Sequence, residues 1–334
     1  MEFSSAEIQN EASRLFTKLK KVDWTMEKCA EIAHLTLEIN KLKKEKNAVI
    51  LAHSYQSPEI MYGIGDYLGD SYGLSIKAKN TEADIIVFCS VHFMAETAKI
   101  LNPKKEVRVP TIAGCSLAES IKPNDIKKLR KEHPNAGVIC YVNTTAEVKA
   151  ECDACCTSAN ALKIIEGMPQ NELIFVPDEF MAKNLQPLTN KKLIPWKGRC
   201  IVHQEFSDES VRQVKSMYPE AKILVHSECA PNVVKESDLM GSTDDILKYV
   251  FNSDANQFML VTECGIKDRV KTEFIGKEVL GSCILCPYMK QITLEDVLTC
   301  LKSPSSEQII DLPEDVIKRA KKSIDKMVEI TEKN

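Results

Sequence analysis

Short apolar runs, each bounded by polar or turn-forming residues, recur along the chain. Six of them stand out, at residues 48–53, 83–88, 138–143, 172–177, 223–228 and 257–262. Runs of this length without polar interruption are typical of strands buried on both faces, as in a parallel sheet. The first, third and fifth runs are 85 to 90 residues apart, and the other three keep the same interval. The pattern therefore predicts pairs of buried strands that repeat three times.

Helix-length amphipathic segments separate these runs, and further strands are expected at residues 107–110 and 192–196. Each round then reads β-α-β-α, and self-similarity at a fixed interval indicates a repeated structural unit. We expect an α/β fold of three similar domains with short parallel sheets. The predicted domains are residues 47–130, 131–215 and 216–300.

Helical periodicity predicts additional helices outside the repeats. Two amphipathic segments in residues 1–46, at 5–22 and 25–45, are expected to pack on the first repeat. A last helix should begin near Pro313 and run to about Ile330, within a C-terminal segment 301–334 that packs back on the core.

Three cysteines share the interval of the repeats. Cys200 lies 85 residues after Cys115, and Cys286 lies 86 residues after Cys200. In a pseudo-threefold molecule these side chains would converge on the axis. The alternative is three buried thiols, because a free cysteine behaves as a small apolar residue, and thirteen cysteines in 334 residues make coincidences common.

Composition narrows the classes of function. Apolar residues make up 44% of the chain, which is ample for a packed interior, and the formal charge of −4 argues against a nucleic-acid partner. No apolar run reaches the roughly 18 residues of a membrane span, and the N-terminus lacks the pattern of a secretory signal. We therefore expect a cytoplasmic protein without a membrane partner. Thiols stay reduced in that compartment, so metal ligation is the leading reason for so many cysteines.

Polar side chains at strand ends are candidates for chemistry. His53 and Tyr55 follow the first predicted strand, and His226 and Glu228 follow its counterpart in the third repeat. In parallel α/β sheets, ligands gather at the carboxyl ends of the strands. A single histidine at a strand end is nevertheless as often structural as catalytic.

Two C-x-x-C pairs, Cys152/Cys155 and Cys283/Cys286, leave several readings open. Each is half of a possible zinc site, and the second is also compatible with a redox couple or with buried thiols. Ser158 and Asn160, just after the first pair, would alternatively cap a helix and bind an anion at its N-terminus.

Ten segments, taken together, resemble one family, the quinolinate synthases, which are iron–sulfur enzymes of NAD biosynthesis. The segments are His-Ser-Tyr-Gln at 53–56, Gly-Asp-Ser at 69–71, 92–99, Gly-Cys-Ser at 114–116, 141–147, 157–160, His-Gln-Glu-Phe at 203–206, His-Ser-Glu-Cys at 226–229, 242–243 and 286–290. They occur in order over residues 47 to 296. No single motif is unique, but the ordered set is highly specific.

The resemblance implies three α/β domains in a pseudo-threefold arrangement around a central [4Fe–4S] cluster. By position its ligands would be Cys115, Cys200 and Cys286, and the other ten cysteines would be core or incidental thiols. A cubane is commonly held by four thiolates, so three leave one iron open to act as a Lewis acid. That arrangement suits a dehydratase.

The family reaction condenses iminoaspartate with dihydroxyacetone phosphate and releases phosphate and two waters as quinolinate forms. The resemblance also implies a functional link to the enzyme that produces iminoaspartate. It assigns catalysis to Glu228, Tyr55, His203 and His226, with Tyr55 as a proton shuttle for the triose phosphate. It assigns substrate binding to His53, Ser71, Tyr141, Asn143, Ser158, His226, Glu228, Ser242 and Thr243.

Some positions depart from the family pattern. Ser227 stands where proline is usual, and Ser54 replaces a frequent asparagine. Asp244 and Asp245 follow Ser242 and Thr243, and two acids beside a phosphate site would repel the ligand unless they point outward or cap the following helix.

Two rival functions remain at this stage. One is a structural or binding protein in which Cys152, Cys155, Cys283 and Cys286 hold a zinc ion. The other is a [4Fe–4S] hydro-lyase that acts on a different small acid. In either enzyme reading, the segment 283–290 is a candidate lid over the site.

Overall fold

A computed structural model of the protein describes residues 3–281 and 283–333. Four residues lie outside the described ranges: Met1, Glu2, Ser282 and Asn334. They are the extreme ends of the predicted terminal segments and the residue just before the candidate lid. No helix within the described ranges is both long and apolar enough to cross a membrane.

The described strands form three four-stranded parallel sheets. The strands are β1 (Ala48–His53), β2 (Tyr67–Gly69), β3 (Ile85–Cys89), β4 (Glu106–Arg108), β5 (Gly137–Tyr141), β6 (Ala154–Cys156), β7 (Glu172–Val176), β8 (Lys192–Pro195), β9 (Lys222–His226), β10 (Leu239–Gly241), β11 (Gln257–Val261) and β12 (Glu278–Leu280). The strand orders are β2-β1-β3-β4, β6-β5-β7-β8 and β10-β9-β11-β12. Each sheet thus repeats one topology, and the prediction of three similar α/β repeats with short parallel sheets is confirmed.

Helices alternate with these strands along the chain. They are α1 (Ser5–Leu19), α2 (Met26–Glu45), α3 (Pro58–Gly63), α4 (Ser71–Asn80), α5 (His92–Leu101), α6 (Ser116–Glu119), α7 (Pro123–Glu132), α8 (Ala146–Lys149), α9 (Ala161–Gly167), α10 (Glu179–Leu185), α11 (Asp208–Met217), α12 (Pro231–Val234), α13 (Thr243–Asn252), α14 (Gly265–Glu273), α15 (Leu294–Lys302) and α16 (Glu314–Glu332).

An aspartate at the same place in every repeat joins the first strand to the short edge strand. Its backbone N–H donates to a carbonyl of the first strand, and its carboxylate accepts the N–H of the same residue, at 2.7–2.9 Å. The pairs are Asp66 with Ile50, Asp153 with Val138, and Asp238 with Ile223. Such a two-bond link holds the edge strand in register, although three residues of pairing are too few to do so alone.

The chain divides into two compact units. The first comprises Met1–Ala113, Cys264–Lys277 and Leu285–Asp311, and contains the sheet of β1 to β4. The second comprises Gly114–Glu263, Glu278–Ile284 and Leu312–Asn334, and contains the other two sheets.

The core of the first unit lies between its sheet and helices from both ends of that unit. Ile39 of α2, Ile50 of β1, Val87 of β3 and Val297 of α15 belong to one buried cluster. Burial of such side chains is the main source of stability at a helix–sheet contact.

In the second unit, α16 packs on the repeat that contains β6. Ser323 donates to the Lys149 carbonyl at 3.0 Å, and Asn160 donates to the Thr331 hydroxyl at 3.0 Å. A Cβ on Gly167 would lie 2.5 Å from Ile330, so this contact requires glycine. The C-terminal helix is therefore an integral part of this unit.

Candidate active site

The carboxylate of Glu228 lies at the carboxyl edge of the third sheet, just after β9. The Glu228 N–H donates to Nδ1 of His226, the last residue of β9, at 3.3 Å. The Ser227 N–H donates to the Gly241 carbonyl at 3.2 Å, and the Cys229 N–H donates to the His226 carbonyl at 3.0 Å. These bonds close a tight turn that presents Glu228 where parallel sheets usually bind ligands.

Glu228 is almost fully buried, and both of its oxygens have partners. The Tyr141 hydroxyl donates to Oε1 at 2.6 Å, and Nδ1 of His203 lies 3.0 Å from Oε2. Burial alone would raise the pKa of this carboxyl. The adjacent imidazoles of His203 and His226 and the hydrogen bonds from His203 and Tyr141 outweigh burial and hold the pKa well below its usual range. Glu228 is therefore a carboxylate at neutral pH.

His203 and His226 stack on each other, with ring centroids 4.5 Å apart and planes 20° from parallel. Burial, followed by the charge of His203, lowers the pKa of His226 to about 3. Because Nδ1 of His226 accepts the Glu228 N–H, the proton of the neutral ring lies on Nε2. His226 thus offers a neutral hydrogen-bond donor at neutral pH.

The thiol of Cys200 lies beside this group, with its Sγ 3.2 Å from Nδ1 of His203. Ser116, next to Cys115, links the two cysteine segments, because its hydroxyl donates to the Arg199 carbonyl at 3.1 Å and accepts the Ile201 N–H at 3.2 Å. Desolvation, followed by the charges of Glu228 and Cys115, raises the pKa of the Cys200 thiol. Cys115 and Cys200 are therefore neighbours within the second unit.

The degree of burial separates the predicted ligands from the other cysteines. Among the eleven described cysteines that are outside disulfides, eight are buried. The three that are only partly buried are Cys115, Cys200 and Cys286. The three cysteines at the predicted ligand positions are thus the least buried of this group.

The loop after β5 contains Asn143, and a buried lysine side chain is hydrogen-bonded to the backbone of this loop. Nζ of Lys149 donates to the Val142 carbonyl at 2.8 Å and to the Thr144 carbonyl. Oδ1 of Asn143 is buried without a hydrogen-bond partner among the described residues. An orphaned buried acceptor is costly, so it is a natural contact for a ligand.

Ser158 is partly exposed, but Asn160 does not form the predicted helix cap. Asn160 precedes α9, yet its side chain makes no capping bond to that helix. Its Oδ1 instead accepts the Thr157 N–H at 2.7 Å. The expectation of a side-chain cap by Asn160 is wrong, because the local turn at Thr157 uses the same oxygen.

The two acids after Thr243 are explained by helix capping. The Asp245 carboxylate accepts from the Ser242 N–H at 2.9 Å and from its hydroxyl at 2.7 Å. Asp244 is partly exposed and pairs with Lys248 at 2.7 Å. The acids therefore stabilise the start of α13. The Ser242 hydroxyl is already used in this capping box, whereas Thr243 is buried at the first position of the helix.

In the first unit, His53 and Tyr55 lie in a turn with the same hydrogen bonds as the one at Glu228. The Tyr55 N–H donates to Nδ1 of His53 at 3.1 Å, and the Ser54 N–H donates to the Gly69 carbonyl at 2.9 Å. The two rings meet edge to face at 4.6 Å. Ser71 begins α4, directly after the capping residue Asp70.

Two basic residues hold this turn from within the same unit. Arg269 donates to the Ser54 hydroxyl at 2.9 Å, and Lys290 donates to the Tyr55 carbonyl at 2.6 Å. Arg269 is itself fixed by two hydrogen bonds of 2.8 Å to the Glu273 carboxylate. Lys290 is the last residue of the candidate lid segment, so this segment is hydrogen-bonded to the backbone of Tyr55.

The C-x-x-C pairs do not form the four-thiolate zinc site of the rival reading. Sγ of Cys155 lies 3.3 Å from Sγ of Cys140, and Cys152 donates to the Val148 carbonyl at 3.1 Å. Cys283 is disulfide-bonded, which corrects the expectation that it is a core or incidental thiol, whereas Cys286 is not disulfide-bonded. The disulfide at Cys283 therefore removes one of the four thiolates that the zinc site would need.

Four residues with clear roles were missed from the sequence: Lys149, Thr262, Arg269, and Asn184, whose side-chain amide donates to the carbonyls of Ser227 and Cys229. Thr262 directly follows β11, and its Oγ1 lies 3.1 Å from Nε2 of His203. The strand-end rule that singled out His53 also applies to Thr262 and would have found it. The other three lie on helices, where no local pattern distinguishes them from surface residues.

The chain matches known proteins over most of its length. The family model described as quinolinate synthetase A protein matches residues 37–329. Quinolinate synthase 2 of Mesorhizobium japonicum is 44% identical over 86% of this chain and 89% of its own. The quinolinate synthase of Sinorhizobium fredii is 41% identical over 97% of this chain and 89% of its own, and that of Caulobacter vibrioides is 39% identical with the same coverage. The chain therefore belongs to the quinolinate synthetase A family of enzymes.

Proposed function

We propose that the protein is a quinolinate synthase that condenses iminoaspartate with dihydroxyacetone phosphate and releases phosphate and two waters. The observation that carries this proposal is the buried, ionised Glu228, held between Tyr141 and His203 beside the thiol of Cys200. A buried carboxylate in contact with a phenol and an imidazole is suited to move protons in a site from which water is excluded.

We propose Cys115, Cys200 and Cys286 as the ligands of a [4Fe–4S] cluster. All three are partly exposed, whereas the other described cysteines outside disulfides are buried, and this difference supports the choice. Thiolates are the usual ligands of such clusters. When bound, a cluster with three protein ligands supplies one Lewis-acidic iron for an oxygen atom of the substrate.

Proton transfer falls to Glu228 and Tyr55. Glu228 accepts a proton at Oε2, and the Tyr141 hydroxyl on Oε1 keeps the carboxylate oriented as its charge changes. His203 provides the adjacent imidazole through which that proton leaves. Tyr55, held by the Lys290 contact to its carbonyl, shuttles a proton as the triose phosphate is converted to its aldehyde form.

Neutral donors bind the carboxylate and phosphate groups of the substrates. His226 contributes the Nε2 proton described above, and Asn143 contributes the NH2 group of its side-chain amide, whose Oδ1 is a separate buried acceptor. The remaining members of the proposed set are His53, Ser71, Ser158, Ser242 and Thr243. Ser242 is its weakest member, because its hydroxyl already donates to Asp245.

An iron–sulfur cluster and the eleven described cysteines outside disulfides are suited to a reducing environment, although Cys283 is disulfide-bonded. We therefore propose that the protein works in the cytoplasm, and that a separate enzyme which oxidises or aminates a four-carbon acid supplies the unstable imine.

The test is anaerobic purification followed by iron and sulfide analysis and a visible spectrum. The protein is then mixed with oxaloacetate, ammonia and dihydroxyacetone phosphate, and quinolinate is measured by mass spectrometry. We expect four irons per chain and quinolinate formation. Cys200→Ser should lose both, and Cys152→Ser, which changes a buried thiol outside the proposed set, should retain both.

Two outcomes would contradict the proposal. A protein with a full cluster but no quinolinate would point to a different hydro-lyase. Full iron content and activity in Cys200→Ser would show that the ligand assignment is wrong.

A further inference from the structure

Three side chains of different chemistry converge beside the Glu228 turn. Within the described part of the chain, Cys200, His203 and Glu228 are the one group of three possible metal ligands whose donor atoms all lie within 4.8 Å of one another. Nδ1 of His203 lies 3.2 Å from Sγ of Cys200 and 3.0 Å from Oε2 of Glu228. Oε2 is an acceptor, and Nδ1 carries either a proton or a lone pair according to the tautomer, so a proton or a metal cation can join the two atoms.

The outer partners of these side chains match those of a metal site. Metal-binding histidines usually donate their second ring N–H to a fixed acceptor, and binding carboxylates are themselves hydrogen-bonded. Nε2 of His203 lies 3.1 Å from the Thr262 hydroxyl, and the second oxygen of Glu228 accepts from the Tyr141 hydroxyl at 2.6 Å. The atoms that face away from the shared centre are thus already engaged.

The ligand types select the class of metal ion. One thiolate, one imidazole and one carboxylate form a borderline set that suits Zn²⁺ and related divalent ions, whereas Mg²⁺ and Ca²⁺ prefer oxygen alone. The imidazole and the carboxylate are both buried, with exposed fractions of 1% and 4%. Three protein ligands also leave one tetrahedral position open.

We propose that the chain, when it carries no iron–sulfur cluster, binds one thiophilic divalent cation such as Zn²⁺ between Cys200, His203 and Glu228. Binding forms three metal–ligand bonds without any redox change. The Cys200 thiol proton leaves to solvent, and the imidazole proton occupies Nε2, where the Thr262 hydroxyl accepts it.

This site would compete with the cluster. Cys200 is also a proposed cluster ligand. While its thiolate binds a single metal ion in this geometry, it cannot bind the cluster together with the other two cysteines. The predicted competition with the cluster rests on the proposed function, whereas the predicted binding of the cation does not. A chain loaded with Zn²⁺ should therefore resist cluster assembly.

The test is a Co²⁺ titration of the cluster-free full chain under anaerobic conditions. Co²⁺ reports thiolate binding by a charge-transfer band and tetrahedral geometry by its visible bands. We expect one Co²⁺ per chain, displaced by one Zn²⁺. Cys200→Ser should abolish the charge-transfer band, and His203→Ala should weaken binding by at least tenfold.

Cys115→Ser is the matched control. It removes another proposed cluster ligand but no ligand of the mononuclear site, so it should bind Co²⁺ as the unchanged chain does. Thr262→Val removes only the outer partner of His203 and should weaken binding by about tenfold. This milder variant keeps the test decisive if Cys200→Ser does not fold.

The inference is overturned if Cys200→Ser retains the charge-transfer band, or if Cys115→Ser loses it equally. It is also overturned if the unchanged chain binds no Co²⁺ at micromolar Co²⁺ concentrations. In the competition arm, Zn²⁺ should block reconstitution with iron and sulfide in the unchanged chain. If no cluster forms even without Zn²⁺ while Co²⁺ still binds at Cys200, the proposed function fails and this inference stands.

Discussion

Two turns in the molecule have the same backbone and different chemistry. The first turn, residues 53–55, begins at the last residue of β1, and the second turn, residues 226–228, begins at the last residue of β9. In both, the leading histidine accepts the N–H of the third residue on Nδ1, and the middle serine donates its N–H to a glycine of the edge strand. The repeated fold thus forms the same hydrogen-bonded turn in two of its repeats.

The difference lies in the third residue and in what supports it. The first turn ends in the phenol Tyr55 and is held by the cations of Arg269 and Lys290. The second ends in the carboxylate Glu228 and is held by a neutral amide, because Nδ2 of Asn184 donates to the carbonyls of Ser227 and Cys229 at 2.9 and 2.8 Å. A neutral support holds the backbone without adding a positive charge beside the carboxylate, whose pKa the neighbouring imidazoles already hold well below its usual range.

The largest expected effect comes from the third residue of the second turn. Glu228→Gln keeps the backbone N–H bond and the size of the side chain, but it cannot accept a proton. We expect kcat for quinolinate formation to fall by about 100 to 10,000-fold, the usual contribution of a general base. The measurement is steady-state kinetics at equal iron content.

Tyr55→Phe makes the matching change in the first turn, and we expect it to lower kcat less than Glu228→Gln does. A larger loss in Tyr55→Phe would reverse the order of the two turns.

Asn184→Ala tests the amide support of the second turn. Two buried carbonyls, those of Ser227 and Cys229, would lose their donor, which costs about 1–3 kcal/mol of unfolding free energy. Thermal unfolding should show the loss as a lower midpoint, and kcat should fall while KM changes little. An unchanged kcat would indicate that Asn184 serves stability alone.

Asp178 begins α10, the helix that carries Asn184, and it gives a pH-dependent prediction. Its Oδ1 accepts the Met181 N–H at 2.8 Å, whereas Oδ2 is buried without a hydrogen-bond partner among the described residues. Burial, followed by the charge of Glu228, raises the pKa of Asp178 well above its usual value. The folded state therefore holds this proton more tightly than the unfolded state does, and stability from this group is lost as pH rises above the ordinary aspartate range.

Asp178→Asn removes the ionisation and keeps the cap acceptor. We expect this variant to be more stable than the unchanged chain near pH 8, by on the order of 1 kcal/mol, and no more stable near pH 4. Thermal midpoints at the two pH values measure the effect. Equal midpoints at both would show that Asp178 ionises without cost.

Ser54→Ala should have the smallest effect. It removes one hydrogen bond to the first turn, but Arg269 keeps both bonds to Glu273. We expect a loss of about 0.5 kcal/mol of unfolding free energy, at the low end for a single hydrogen bond. Its thermal midpoint should therefore fall less than that of Asn184→Ala.

The long strands were predictable, whereas four of the five three-residue strands were not. All six apolar runs are strands, with ends within two residues of the predicted ones, and β4 and β8 lie at the predicted third positions. The edge strands β2, β6 and β10, and β12, were missed. Each spans only three residues, which is too short for a periodic signal, and each forms because an adjacent strand offers hydrogen bonds.

The amino-acid sequence by itself determined the three α/β repeats, the cysteines at their interval, and the histidines, tyrosine and glutamate at the strand ends. These features are local, because an apolar run or a residue at its end is defined by its chain neighbours. Only the tertiary structure decided which polar groups meet. The contacts of Glu228 with Tyr141 and His203, and of Arg269 with Ser54, join residues 25 to 215 positions apart. Such partners depend on distance in space, which no local pattern encodes.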